Sequence, residues 1–450
     1  MIKHDNQPLV QQPLKTSAAT GAALAAMGVA NAIPLMHGSQ GCGAFSKVYL
    51  IQHFREPMPI QNSAIDQVAA VMGGDDNLLE ALALLCQKHQ PDCIVVTTTG
   101  LTEMQGCDTV RVIQAFYRQY PQYRQTVVIP VATPDFVGTM QSGFSSVVDQ
   151  LVRQLAPTEV DEEARLVRSP TQVTLLCSVS ATSADIENAK RYIEAFGLDA
   201  LVIPDISDSL DGHLAKGDYS ATSTGGTAVA SIRNIAASAL TIVMGESLLP
   251  TAKWLQKRFD IPYLSWEMGM KSTDQLIGYL HTMTAHPVPA WIKRDRQRLE
   301  DAWLDSHFLL SGEQIAIALE SDLAANYLAL LNEIGAEVSL IITTGANEAL
   351  KQAKRVIIGS LSELNHLDGR IKAVIGSTHA AQITEPAIPV LRAGYPCIDQ
   401  LGNMDVAQWG YQGARSRLFA LANLLLSHHS DEVELHHSDY RFDASEVSAS

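Results

Sequence analysis

Residues 33–57 read IPLMHGSQGCGAFSKVYLIQHFREP, an apolar run that breaks into a glycine-rich turn holding one cysteine. Cys42 stands between Gly41 and Gly43, so no neighbouring side chain keeps a bulky group from its sulfur or from the local backbone. Such openness suits an iron-sulfur cluster. A four-iron cluster is normally held by four thiolates at close quarters, however, and no second cysteine appears before Cys86. Two readings of Cys42 follow from the residues alone. It is a small apolar residue in a tight turn, or one ligand of a cluster whose other ligands come from elsewhere.

At 450 residues the chain is too long for one core, and 46% hydrophobic content is enough to fill several. A formal charge of −16 disfavours nucleic acid and anionic membranes as partners, because both need clustered Lys and Arg. Six cysteines, at 42, 86, 93, 107, 177 and 397, form no CxxC pair and are too sparse for a disulfide framework. A reducing, cytoplasmic setting is expected. Ala30-Asn31-Ala32 imitates a signal-peptidase site, but the Ala-rich stretch before it lacks a Leu-rich run and reads as a close-packed helix. No apolar run approaches the roughly 20 residues needed to span a bilayer.

Outward from residues 33–57, the pattern is that of strands feeding loops and helices. Residues 77–89 carry apolar side chains at helical spacing, and residues 93–99 are a β-branched run ending at Gly100. Strand 126–131 and helix 142–155 complete a first α/β domain, residues 21–168, after a loose N-terminal arm at 1–20. The pattern restarts with strand 173–179, helix 183–196, strand 200–204, strand 241–244, helix 248–259 and strand 263–266, giving a second domain at 169–288. Residues 289–312 read as a charged connector helix. A third domain, 313–428, follows with strands 314–319, 337–343 and 373–375, Ser321 as an expected N-cap, and a closing helix near 406–427. Residues 429–450 read as a solvated acidic tail. The expected fold is α/β, with three Rossmann-like domains built on mostly parallel sheets.

Four segments, HGSQGCGAF (37–45), QHFREP (52–57), AAVMGGDDNLLEAL (69–82) and TTTGLTEMQG (97–106), together resemble the β-subunit side of the nitrogenase component 1 family. The resemblance runs from about residue 20 to about 425 and is strongest to the scaffold branch, which assists assembly of the iron-molybdenum cofactor. Catalytic β subunits hold their share of the P-cluster through three cysteines in this region. Only Cys42 matches; the other two positions are read at Ile60 and Gly100, and neither can ligate iron. The resemblance thus implies a scaffold whose Cys42 completes a [4Fe-4S] cluster with three thiolates of a NifE-like partner, in an α2β2 heterotetramer. It further implies a cofactor precursor held mainly by that partner, docking of the nitrogenase iron protein, and precursor donors such as NifB or NifX. A redox enzyme subunit, resembling catalytic nitrogenase β or dark-operative protochlorophyllide reductase, is the alternative.

Other residues carry weaker signals. Glu103, Gln105 and Cys107 follow a strand end, where α/β proteins place ligands, yet loops are polar regardless of function. Cys86, Cys93, Cys177 and Cys397 read as packing. Ser223 to Thr227, STGGT, lacks the GK[ST] ending of a phosphate loop and reads as a turn. His37, His53 and His379 lack ligand-spaced partners, and His53 with Arg55 and Glu56 is expected to fix the turn at Pro57 or meet a partner subunit. No GxSxG, HExxH, Walker A or leading GxGxxG motif is present.

Overall fold

In the computed structural model, residues 2–4, 13–158, 169, 171–214 and 219–428 are described. Three separate sheets organise them, and every strand pairing is parallel. The first sheet runs in the order Gln61–Asn62, Ala32–His37, Cys93–Thr98, Val127–Val131. The second is Asp199–Ile203, Gln172–Leu176, Leu240–Val243, Tyr263–Ser265. The third has six strands, Ile2–His4, Val356–Ile358, Glu337–Thr343, Gln314–Ala318, Ile371–Gly376 and Val390–Arg392. This is the expected α/β architecture. Its physical basis is clearest in Cys93–Thr98, CIVVTT, where all six residues are buried, as a strand covered on both faces by helices requires.

Several expectations are corrected. Residues 1–20 are not a loose arm throughout, because Ile2–His4 pairs with Val356–Ile358 at the edge of the third sheet. The helix Ala18–Met27 begins within the same segment, and all ten of its residues are buried. Its passage through the core relies on glycine. A Cβ on Gly21 would lie 1.8 Å from the Met140 carbonyl oxygen, and one on Gly143 would lie 1.8 Å from that of Ala18. The helices Ala18–Met27 and Met140–Leu155 therefore cross backbone to backbone.

Ser321 is not the N-cap of Ser321–Ile334; Glu320 holds that position, while Ser321 Oγ accepts from Gln141 Nε2 at 3.0 Å. The last helix starts at Gly410, not near 406, and does not close the third sheet. It packs along the connector helix Ala290–Leu310 and against Met270–Thr284 and Ser183–Glu194, returning the chain to the second unit. The acidic tail at 429–450 lies outside the described residues.

Candidate cluster-ligand site

Strand Ala32–His37 carries the chain to Gly38, and Ser39 at φ −71°, ψ 156° opens the helix Gln40–Phe54. Cys42 is the third residue of that helix, within the first turn, where the dipole favours bound negative charge. Its N–H donates to the Ser39 carbonyl at 3.2 Å, and its Sγ lies 3.5 Å from Ser39 Oγ. The turn is seated on the neighbouring strand end: a Cβ on Gly38 would lie 2.5 Å from Thr99 Cγ2. On the other side there is room. A Cβ on Gly41 or on Gly100 would meet no atom within 4 Å.

Cys42 thus opens on a cavity of about 360 Å³, walled also by Ser17, Thr20, Phe45, Thr99 and Asp135. Ser17 caps the helix Ala18–Met27 and donates from Oγ to Asp135 Oδ1 at 2.5 Å, so two oxygen-bearing side chains are tied together on the wall. Ile60 is elsewhere. It is 1% exposed in the apolar core with Leu50, Phe54 and Met58, a side chain that packs and offers no atom to iron. Ser17, unremarked in the sequence, stands beside Cys42 instead.

The outer face of the Cys42 helix is apolar. Phe45, 81% exposed, Val48 and Ile51 recur every three residues along it. Val68, Val71 and Met72 on Gln67–Met72, Met104, and Phe136 and Val137 are exposed as well. These exposed apolar side chains make this face a candidate interaction surface. A helix apolar on two faces was the sequence signal for it: Leu50, His53 and Phe54 face the core while Phe45, Val48 and Ile51 face out.

The three flanking candidates are held in structural roles. Glu103 accepts from Thr98 Oγ1, and Gln105 Nε2 donates to the carbonyls of Ala69 at 3.0 Å and Ala70 at 2.6 Å. Cys107 Sγ lies 3.3 Å from His37 Nε2 and 3.6 Å from Asp75 Oδ1. Burial, reinforced by Asp75, pushes the Cys107 thiol up to about 11, and burial lowers His37 to about 4 against the pull of Asp75. Both are neutral near pH 7. Cys86, Cys93, Cys177 and Cys397 are buried, so Cys42 and Cys107 are the partly exposed thiols. Burial pushes Cys93 and Cys397 up to about 12. Among the described residues, no three His, Cys, Asp or Glu side chains converge as a metal-holding group, and no helix is long and apolar enough to cross a membrane.

His53, Arg55 and Glu56 join the units within the chain. His53 Nδ1 accepts from the Cys397 N–H at 3.0 Å, Arg55 Nη2 donates to the Ile398 carbonyl at 2.6 Å, and Glu56 Oε1 accepts from the Gly212 N–H at 2.6 Å. The STGGT segment is a turn whose Ser223 Oγ accepts from the Ala32 N–H at 2.9 Å.

Two buried histidines give the chain an acid limb. Burial lowers His53 to about 3 and His37 to about 4 from an ordinary 6.5. The unfolded chain takes up protons first, so their contribution is fully present above pH 6.5 and is lost as pH falls toward those values. Glu320 opposes them: burial raises it from 4.5 to about 7, so its contribution is present below 4.5 and lost as pH rises through 7. Glu320→Gln is therefore expected to steepen the loss of denaturant midpoint between about pH 6.5 and about pH 5 by roughly one proton's worth, about 1.4 kcal/mol per pH unit at most. An unchanged slope in that variant would refute the assignment.

The sequence model for proteins described as nitrogenase component 1 type oxidoreductase matches residues 17–426. The chain belongs to the nitrogenase component 1 family. Among curated members of the family, it is 37% identical over 438 residues to the nitrogenase iron-molybdenum cofactor biosynthesis protein NifN of Klebsiella pneumoniae, covering 95% of this chain and 94% of that protein. It is 36% identical over 444 residues to the protein of the same name from Rhodobacter capsulatus, covering 96% and 95%. The component 1 fold is shared with a solved structure titled Nitrogenase Cp1 at pH 6.5, at 27% identity and TM-score 0.86, with 98% of both chains covered.

Proposed function

We propose that this component 1 chain is a β-type scaffold subunit for biosynthesis of the nitrogenase iron-molybdenum cofactor, and that Cys42 is its one thiolate to a [4Fe-4S] cluster shared with a NifE-like partner. Near-complete coverage by relatives named for cofactor biosynthesis supports the scaffold role. The observation that carries the shared ligation is the partly exposed Cys42 thiol on an open cavity, flanked by the exposed apolar Phe45, Val48 and Ile51.

The donor set fits a share of such a group and not the whole. One thiolate is a quarter of the four that a four-iron cluster takes, and the oxygens of Ser17 and Asp135 already engage each other. The remaining three thiolates come from the partner, across the face that Phe45, Val48 and Ile51 present. When bound there, the cluster supplies one-electron transfer. This chain's residues position the thiolate through the Ser39 cap and keep Cys107 apart as a neutral thiol. The assembly is an α2β2 heterotetramer of the cytoplasm, with the cofactor precursor mainly on the partner, delivered by proteins such as NifB or NifX. The nitrogenase iron protein docks on it. The redox-enzyme alternative is not favoured by any feature of the site.

The test is maturation. Extract lacking this chain should fail to activate cofactor-free nitrogenase, and the purified complex with its partner should restore activation. Full activation without the chain would overturn the proposal.

A further inference from the structure

A second cavity, of about 90 Å³, lies where the carboxyl ends of the second and third sheets meet under the C-terminal end of the Cys42 helix. Ser180 comes from the loop after Gln172–Leu176, Arg392 and Cys397 from the chain leaving Val390–Arg392, His53 from above, and Arg417 from the last helix. Carboxyl ends of parallel strands are where α/β folds place ligands. The Cys42 site does not use this one.

The Arg417 guanidinium shares one hydrogen bond with the Tyr327 hydroxyl, but two of the cavity's donors are unspent. Arg417 is 8% exposed, and its Nε is buried without a hydrogen-bond partner. Ser180, 6% exposed, has a buried Oγ in the same condition. The nearby carboxylates are engaged. Asp399 pairs with Arg392 at 2.7 Å, and Asp185 accepts the N–H groups of Thr182, Gln408 and Trp409 at 3.0, 2.5 and 2.9 Å. Among the described residues, no ion pair engages Arg417. A neutral hydroxyl does not balance a positive charge, so a guanidinium withdrawn from water beside an open polar cavity, with no carboxylate against it, calls for an anion.

We propose that this cavity binds a small tetrahedral oxyanion, held by Arg417 and Ser180 between the second and third sheets. A planar fork of N–H donors beside a hydroxyl matches the oxygens of a sulfate-class dianion. The volume admits one such ion and excludes a nucleotide or a metal cluster. Entry lies at the exposed residues 399–402, which include Gln400 on the cavity rim. The proposal does not rest on the scaffold reading, because the test reads binding alone.

The experiment is calorimetric titration of the intact complex with sulfate, in an oxyanion-free buffer, followed by competition with molybdate. Expected are one site per chain, displacement of sulfate by molybdate, and an affinity about tenfold or more weaker in Arg417→Gln, equivalent to about 1.4 kcal/mol. Ser180→Ala should weaken it by about fivefold and serves if Arg417→Gln does not fold. Arg417→Lys should bind more tightly than Arg417→Gln by keeping the charge. No heat up to about 10 mM sulfate, which means a cavity filled by water only, overturns the proposal. So does binding that neither Arg417→Gln nor Ser180→Ala alters.

Discussion

Under the proposed shared ligation, replacing Cys42 with alanine is expected to lower occupancy of the bridging cluster in the purified complex by about tenfold or more, because it removes the one thiolate the proposal assigns to this subunit. The three sheets should stay intact. Cys42 is partly exposed at the head of a helix, so the lost sulfur leaves little cavity, and the stability change should stay near about 1 kcal/mol. Cys177→Ala is the matched control. Cys177 is 1% exposed just beyond the strand Gln172–Leu176, so its removal should cost about 1 to 2 kcal/mol and leave iron untouched. If instead Cys42 were only a packing residue, the two variants would be indistinguishable in iron content and in the paramagnetic signal of the cluster.

The largest stability effect is expected at the helix crossing. Gly143→Ala places a Cβ 1.8 Å from the Ala18 carbonyl oxygen, a contact that only a shift of backbone can relieve. Both helices are packed on several sides, and Ala18–Met27 is buried along its whole length, so neither can move cheaply. We expect a loss of about 3 kcal/mol or more, read as a lowered urea midpoint. Gly41→Ala, where a Cβ meets nothing within 4 Å, should change stability by less than about 1 kcal/mol. The crossing also places Ser17 on the wall of the Cys42 cavity, so Gly143→Ala should disturb that wall as well. A Gly143→Ala midpoint equal to that of wild type would show that the crossing is looser than described.

The parts of this fold that the sequence made legible are those whose local pattern and tertiary role agree. Residues 93–98 are apolar and β-branched because both faces of that strand are covered, and the covering is what makes the pattern continuous. The strand Ile2–His4 had no such pattern. Three residues beside a Gln- and Pro-rich segment become a strand only because Val356–Ile358 offers an unpaired edge. The path of the last helix was hidden for a related reason: an apolar stripe announces burial without naming the surface that buries it.

At the site, Cys42 was visible through its flanking glycines and the motif around it. Ser17 and Asp135 were not, since 118 residues separate two side chains that the fold brings to hydrogen-bonding distance. Arg417 left no trace either. An arginine in this helix reads as solvated until the fold sets it on the cavity wall against Tyr327.

The most direct measurement is the iron content of this chain purified anaerobically alone and together with the proposed NifE-like partner. Shared ligation predicts an essentially iron-free, colourless chain when alone, and a brown complex with about four bridging irons per heterodimer, beyond any cofactor precursor. A stable four-iron signal from the isolated chain would contradict it.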